Sequence, residues 1–146
     1  MWGQLLFLGS SVKFGLKKMD TELLKLILPE VLISNFDIVK IELLGEVATK
    51  QMKYEIYLDE CNELTNVELS SEYESKGFLE PKRIQDFPIR GKAVYLNIRF
   101  RRWRHKKYPE RIIRNEYDLT SDGAKLTKEL SDFLKGTGRY KARYDQ

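Results

Sequence analysis

The chain of 146 residues contains one cysteine, Cys61, and one histidine, His105. A single cysteine excludes an internal disulfide, and together the two residues are too few for the three or four ligands of a zinc site. Long hydrophobic runs are also missing. The longest, Leu23 to Ile33, is interrupted by charged residues and a proline and is shorter than the ~20 residues that cross a bilayer. We therefore expect a soluble, cytoplasmic protein without a metal site, cofactor or membrane span.

Sequence patterns of catalytic sites are scarce. No glycine-rich phosphate loop opens a helix, because Gly136-Thr137-Gly138 follows a predicted helix. The acidic residues are scattered, so Glu60 with Glu63 and Glu72 with Glu74 are expected to be solvated instead of converging in a pocket. We predict a chain that is not itself an enzyme.

Charge is abundant, and it is divided between two parts of the chain. Residues 81–118 contain twelve Lys and Arg against four Asp and Glu, whereas residues 20–80 contain five Lys and Arg against fourteen acids. The densest part is 99–107, where six Arg and Lys accompany one histidine and two aromatic residues. Segregated positive charge attracts polyanions, and nucleic acid is the first partner to consider.

The length fits one domain with a substantial core. A first helix is predicted from Asp20 or Thr21, with Pro29 kinking or restarting it. The hydrophobic period then changes to two, which predicts two strands joined by a turn at 45–51. Residues 60–75 are polar and predict a loop or a short irregular strand, and a short strand at 84–87 leads through a turn into the basic part.

The longest predicted strand runs from Ala93 to Trp103. Successive side chains of a strand point to opposite faces, so the alternation predicts one core face and one basic, aromatic face. The core face comprises Val94, Leu96, Ile98 and Phe100. The opposite face comprises Tyr95, Asn97, Arg99, Arg101 and Trp103. A strand at 111–117 is predicted to return antiparallel and to complete a hairpin.

A final helix is predicted from a cap at Thr120 or Ser121 to Gly136. The expected fold is therefore α+β, an antiparallel sheet of about five strands flanked by an N-terminal and a C-terminal helix. Residues 19–136 would form a single DNA-binding domain. Residues 1–18 are expected to be disordered or an upstream extension, and residues 137–146 to be a basic linker or tail.

Two interpretations of the cluster at 99–107 compete. Charges on an edge hairpin can simply prevent aggregation, but that role needs few of them and does not explain the interleaved aromatic residues. Arginine binds phosphate and guanine, and a two-stranded ribbon fits the major groove. Trp103 could stack on an unpaired base or belong to the core. The predicted DNA-binding residues are Lys92, Tyr95, Asn97, Arg99, Arg101, Arg102, Trp103, Arg104, His105, Lys106, Lys107, Arg111 and Arg114.

One family resemblance accompanies these patterns. The stretch Ile84 to Leu96, with its Asp-Phe-Pro-x-Arg-Gly-Lys motif, and its continuation through Ile98 to Trp103 resemble the N-terminal region of bacterial insertion-sequence transposases of the ISAon type. Leu23 to Pro29 and Gly123 to Tyr140 are similar to the same family. The resemblance covers Met19 to Tyr140.

The resemblance implies recognition of the terminal inverted repeats of a mobile element in double-stranded DNA. The acidic triad for strand transfer would lie on a separate catalytic part, which would also be a partner. Related transposases have zinc-binding cysteines beside the equivalent hairpin, and this chain lacks them. Two alternatives stay open: a protein-interaction module that docks on the catalytic part or forms a homodimer, and a binder of single strands or RNA.

Overall fold

The computed structural model describes residues 11–14, 22–46, 50–120 and 125–144. Its strands are β1 (Ser11–Phe14), β2 (Phe36–Glu46), β3 (Gln51–Glu60), β4 (Tyr73–Phe78), β5 (Lys82–Ile89), β6 (Lys92–Arg99), β7 (Arg101–His105) and β8 (Ile112–Ile113). Its helices are α1 (Glu30–Asn35) and α2 (Lys128–Tyr144), and a single 3-10 turn spans Val67–Leu69. No described helix is long and apolar enough to cross a membrane.

The predicted α+β class is confirmed, with strands arranged in two sheets. A five-stranded sheet has the order β1-β2-β3-β6-β5, and a three-stranded sheet has the order β4-β7-β8. The larger sheet is mixed and not purely antiparallel, because β3 and β6 pair in parallel. Parallel neighbours need a long crossover connection. Here it contains β4 and β5, so the polar segment after β3 links the two sheets.

Both predicted turns of the larger sheet are confirmed. β2 and β3 pair antiparallel across the segment 45–51, with Glu46 opposite Gln51. β5 and β6 pair through a two-residue loop, since Ile89 lies opposite Lys92. Arg90 and Gly91 in that loop have φ of 53° and 76°, as a type I′ hairpin turn requires.

The core lies between one face of the five-stranded sheet and the segment around α1. Leu28, Leu32 and Phe36 pack against a set of buried strand residues, Ile56, Leu58, Ile84, Val94, Leu96 and Ile98. The alternation predicted for β3 and for the first part of the long strand is therefore correct.

Pro29 restarts the helix, as predicted: residues 22–24 are helical, 25–28 form a turn, and α1 begins at Glu30.

The long strand predicted at 93–103 is wrong in one respect, because it ends at Arg99 and a new strand begins at Arg101. In β6 the even positions are buried, whereas in β7 Trp103 is 5% exposed and Arg102 is exposed. One residue, Phe100, reverses the phase, and a one-residue slip moves every later side chain to the other face. Phe100 itself packs against the core, as expected.

Several predicted boundaries also differ. Ser11–Phe14, expected to be disordered or outside the domain, forms β1 and pairs antiparallel with β2. The returning strand predicted at 111–117 is reduced to Ile112–Ile113. The C-terminal helix begins later than predicted, at Lys128, and it continues through the predicted stop at Gly136 to Tyr144. The rest of 1–18 and residues 121–124 and 145–146 lie outside the described residues.

Candidate nucleic-acid interface

The break at Phe100 divides the predicted DNA-binding residues between three surfaces. Tyr95, Asn97 and Arg99 lie on the face of the five-stranded sheet opposite the core. Arg101, Trp103 and His105 lie on the inner side of the three-stranded sheet, where Trp103 is buried. The outer side and the turn after it carry the other cations of the hairpin: Arg102, Arg104, Lys106, Lys107, Arg111 and Arg114. The prediction of one basic, aromatic face from Tyr95 to Trp103 is therefore wrong.

On the five-stranded sheet, carboxylates of β3 lie in register beside the polar residues of β6. Glu55 is opposite Tyr95, and Asp59 is opposite Arg99. Arg99 Nε donates to Asp59 Oδ1 at 2.6 Å, and its Nη2 donates to Oδ2. Hydrogen bonding to this carboxylate raises the pKa of the Arg99 guanidinium. Because the bidentate pair with Asp59 neutralises the charge of the guanidinium, Arg99 is less available to phosphate than an unpaired arginine.

Glu55 is the centre of a second group of polar contacts on this face. Its carboxylate is 4% exposed and accepts hydrogen bonds from Arg83 Nε at 3.0 Å and from Asn97 Nδ2 at 2.6 Å. The Arg83 guanidinium carbon lies 3.7 Å from the centroid of the Tyr95 ring. Hydrogen bonding to Glu55 also raises the pKa of Arg83. Asn97 and Tyr95, which were predicted to bind DNA, are thus engaged within the sheet.

Glu42 faces Glu55 across the β2–β3 ladder and is also buried. Tyr57 Oη donates to its carboxylate at 3.2 Å, and Lys40 Nζ lies 3.4 Å from the same group. Lys40 also lies 4.3 Å from the centroid of the Tyr57 ring. Burial raises the pKa of Tyr57, and the hydrogen bond to Glu42 adds to that shift. A layer of cations and tyrosines therefore covers the two carboxylates.

Glu60 connects the two sheets and corrects the expectation that it would be solvated. It is 1% exposed, and its carboxylate accepts the Arg101 backbone N–H at 2.7 Å, Asn115 Nδ2 at 2.7 Å and the Tyr117 hydroxyl. Burial, and then the bond to Glu60, raise the pKa of Tyr117. Asn115 Oδ1 in turn accepts the backbone N–H of Thr65 at 2.9 Å. The Asn115 and Tyr117 side chains belong to residues 111–117, the segment that had been predicted to be a strand.

The inner side of the three-stranded sheet is not available to DNA. Trp103 is 5% exposed, and its indole Nε1 has no hydrogen-bond partner among the described residues. Arg101 donates through Nε to the Glu60 carbonyl at 2.8 Å and through Nη1 to Ser75 Oγ at 3.0 Å. Trp103 had been predicted either to stack on an unpaired base or to belong to the core, and it is buried. The Arg101 side chain therefore connects the two sheets, since Glu60 belongs to one and Ser75 to the other.

The outer side of this sheet is different, because few carboxylates reach its cations. Arg104 lies 3.6 Å from Glu74, and Arg114 donates to Glu116 at 3.0 Å. Arg102 donates through Nε to the Lys76 carbonyl at 3.2 Å. Among the described residues no carboxylate lies within 4 Å of four of the hairpin cations, Arg102, Lys106, Lys107 and Arg111. Lys92 lies apart from them, after the β5–β6 turn.

The turn at 106–111 is held by His105, which had been predicted to bind DNA. Its Nδ1 accepts the backbone N–H groups of Lys107 and Tyr108, both at 3.0 Å. Its Nε2 lies 4.0 Å from Glu72, and the side chain is 11% exposed. His105 therefore positions the turn, and Lys106, Lys107 and Arg111 lie exposed on it.

Sequence reasoning missed two features of this surface. It did not single out Tyr108, which is 40% exposed among the cations of the turn. The signal for it was a tyrosine directly before Pro109 and after two lysines, a composition typical of an exposed turn. It also missed the carboxylates that neutralise β6. Their position depends on the parallel pairing of β3 with β6, which no local pattern indicates.

Comparison with models of known protein families, with curated proteins and with solved structures found no match to this chain. In the described residues no group of three or more His, Cys, Asp or Glu side chains is placed to hold a metal ion. The basic surface of the three-stranded sheet is the feature with the clearest chemical use.

Proposed function

We propose that this protein is a DNA-binding module that uses the hairpin formed by residues 101–114, here called the basic hairpin. The observation that carries the proposal is the group of four hairpin cations, Arg102, Lys106, Lys107 and Arg111, without carboxylate partners among the described residues. The hairpin contains seven Arg and Lys against one Glu. Concentrated positive charge on an exposed ribbon favours binding to the phosphate backbone.

The biological role we propose is that of the non-catalytic N-terminal region of an insertion-sequence transposase, bound to the terminal inverted repeats. This part of the proposal depends on the resemblance of the stretch Ile84 to Trp103 alone. Strand-transfer chemistry would then belong to a separate catalytic part. In this arrangement the hairpin positions the DNA, and the partner cleaves and joins it.

Salt dependence of binding to a duplex that carries candidate inverted repeats tests the proposal. Each phosphate that a cation neutralises contributes about −0.9 to the slope of log K against log salt. Four contacts therefore predict a loss of about two decades in affinity between ~50 and ~200 mM salt. Fluorescence anisotropy with a labelled duplex measures both the affinity and the slope.

Three single substitutions separate the basic hairpin from the sheet face. Arg102→Ala or Lys107→Ala should lower affinity severalfold and make the slope shallower by about one. Arg99→Ala removes the same charge from the chain, but Arg99 is paired with Asp59, so affinity and slope should stay unchanged. An equal loss from all three variants would show that only net charge matters. Absence of binding by the unaltered protein at ~50 mM salt would contradict the proposal outright.

A second candidate function, protein interaction, is favoured by a different observation. Three apolar side chains that precede α1 are exposed: Leu23 by 60%, Leu26 by 81% and Ile27 by 54%. Grouped exposed apolar residues often mark an interface. Concentration-dependent dimerisation that disappears in Leu26→Ser, measured by sedimentation, would support this function. It does not compete with DNA binding, because the two surfaces use different residues.

A further inference from the structure

We infer that the turn of the basic hairpin is a stacking platform for an unpaired DNA base, formed by Tyr108 and Arg111. The inference rests on the proposed DNA binding and names the kind of DNA that this surface prefers. It predicts that duplex DNA with unpaired nucleotides at its end binds better than a blunt duplex.

An aromatic column supports the platform. The Tyr73 and His105 ring centroids are 5.0 Å apart, and the His105 and Tyr108 centroids are 5.1 Å apart. The His105 side chain is 11% exposed, whereas Tyr108 is 40% exposed. The Tyr108 ring is therefore held in place by His105 and remains accessible to solvent. Tyr108 is not part of the hydrophobic core cluster, so packing in the core does not account for its position.

The backbone of the turn is fixed before any ligand binds. His105 Nδ1 accepts two backbone N–H groups, those of Lys107 and Tyr108. The Arg111 N–H donates to the Tyr108 carbonyl at 2.9 Å, and the His105 N–H donates to the Arg111 carbonyl at 2.9 Å. The Lys106 N–H donates to the Glu72 carbonyl at 2.8 Å, which ties the turn to the neighbouring loop. A preformed turn loses little entropy when it binds.

Charge around Tyr108 suits a nucleotide better than an uncharged partner. The guanidinium carbon of Arg111 lies 4.6 Å from the centroid of the Tyr108 ring, and Lys107 Nζ lies 5.8 Å from it. Among the described residues, neither cation has a carboxylate within 4 Å. An unpaired base can stack on tyrosine or on a guanidinium plane while the cations hold the adjacent phosphates. Bases inside a duplex cannot, because their neighbours cover both faces.

Trp103 was the other aromatic candidate for stacking, and its burial removes it. A side chain that is 5% exposed cannot present a face to a base unless the sheet opens. The stacking function considered for Trp103 therefore moves to Tyr108, five positions further along the same hairpin.

Two DNA probes with the same duplex sequence test the inference, one blunt and one with a short oligo-dT overhang. We expect the overhang to increase affinity. Tyr108→Ala should abolish that increase, a loss of about five- to a hundredfold for one stacked base, and should leave blunt-duplex binding nearly unchanged. Tyr108→Phe keeps the ring and is the matched control, which should bind like the unaltered protein. A 2-aminopurine in the overhang should lose fluorescence when it stacks.

The outcomes distinguish this inference from the proposed function. If neither probe binds the unaltered protein, the proposed DNA binding is wrong. If both probes bind equally and Tyr108→Ala changes neither affinity, DNA binding stands and the stacking platform is wrong. Circular dichroism of Tyr108→Ala checks that the fold is intact, and a fluorescence change in that variant equal to the wild-type change would also contradict the inference.

Discussion

The polar face of the five-stranded sheet and the basic hairpin contain similar cations, but those cations have different neighbours. On the sheet, Glu55 and Asp59 of β3 pair with Arg83, Asn97 and Arg99. On the hairpin, β7 lies between β4 and the short β8, and its exposed cations meet fewer acids. Strand neighbours, and not the local density of Arg and Lys in the sequence, decide which cations stay available to a polyanion.

The largest expected effect comes from breaking the junction between these two regions. Glu60→Ala removes the acceptor of three donors at the junction: the Arg101 N–H, the Tyr117 hydroxyl and one N–H of Asn115 Nδ2, which also donates to the Glu63 carbonyl. Each unsatisfied buried group costs about 1 to 3 kcal/mol, so the free energy of unfolding should fall by about 3 kcal/mol or more. Urea denaturation followed by tryptophan fluorescence measures it.

Glu60→Gln is the matched control for this substitution. It keeps one side-chain oxygen as an acceptor and should cost clearly less than alanine. If the two variants lose the same stability, or if neither loses any, the junction does not depend on these hydrogen bonds. The alanine variant should also weaken DNA binding, because Arg101 begins the basic hairpin at this point.

A smaller effect is expected at Glu55, on the sheet side of the comparison. Glu55→Gln removes the charge that holds Arg83, but the Arg83 side chain is 45% exposed and water can solvate it. We therefore expect a loss of about 1 to 2 kcal/mol in the free energy of unfolding. Glu68→Gln removes one carboxylate from an exposed site, and its unfolding should change by less than about 0.5 kcal/mol. Equal losses at both positions would contradict a specific role for the pair.

Glu55→Gln also tests why the sheet face would not bind DNA, since it releases Arg83 from its carboxylate partner. If pairing is what prevents the sheet face from binding DNA, this variant should bind a duplex more tightly, with a salt slope steeper by about one. Unchanged affinity would mean that position on the sheet, and not neutralisation, makes this face inactive.

Local patterns in the sequence were sufficient for some elements and insufficient for others. The alternation of Val94, Leu96 and Ile98, the turn at Gly91 and the restart after Pro29 depend on neighbours in the chain, and these predictions are confirmed. The break at Phe100 was not predicted, although the apolar residues fall at even positions up to Phe100 and the next one, Trp103, falls at an odd position after two adjacent arginines. A register slip depends on which sheet each half joins.

In the candidate site, too, the features that depend on neighbours in the chain were predicted and those that depend on distant segments were not. That the stretch from Arg101 to Arg114 is a basic hairpin was predicted from composition and turn signals, although β8 is shorter than expected. The sequence did not predict which cations are neutralised, because Glu55 and Asp59 lie about forty residues from their partners Asn97 and Arg99. The expectation that Glu60 is solvated failed for the same reason: its donors come from distant segments.

The smallest expected effect concerns Asp86, a buried carboxylate on the core side of the sheet that contrasts with Glu55. Asp86 is 5% exposed and accepts the Thr127 hydroxyl at 2.9 Å. Burial raises its pKa above the ordinary value of 3.8. Stability from the protonated form is fully present below the unfolded pKa and is lost as pH rises through the folded pKa. Asp86→Asn does not titrate, so its free energy of unfolding relative to wild type should increase between about pH 4 and pH 7. Urea denaturation across that range measures the difference, and a difference that stays constant or decreases would show that burial of Asp86 does not govern its ionisation.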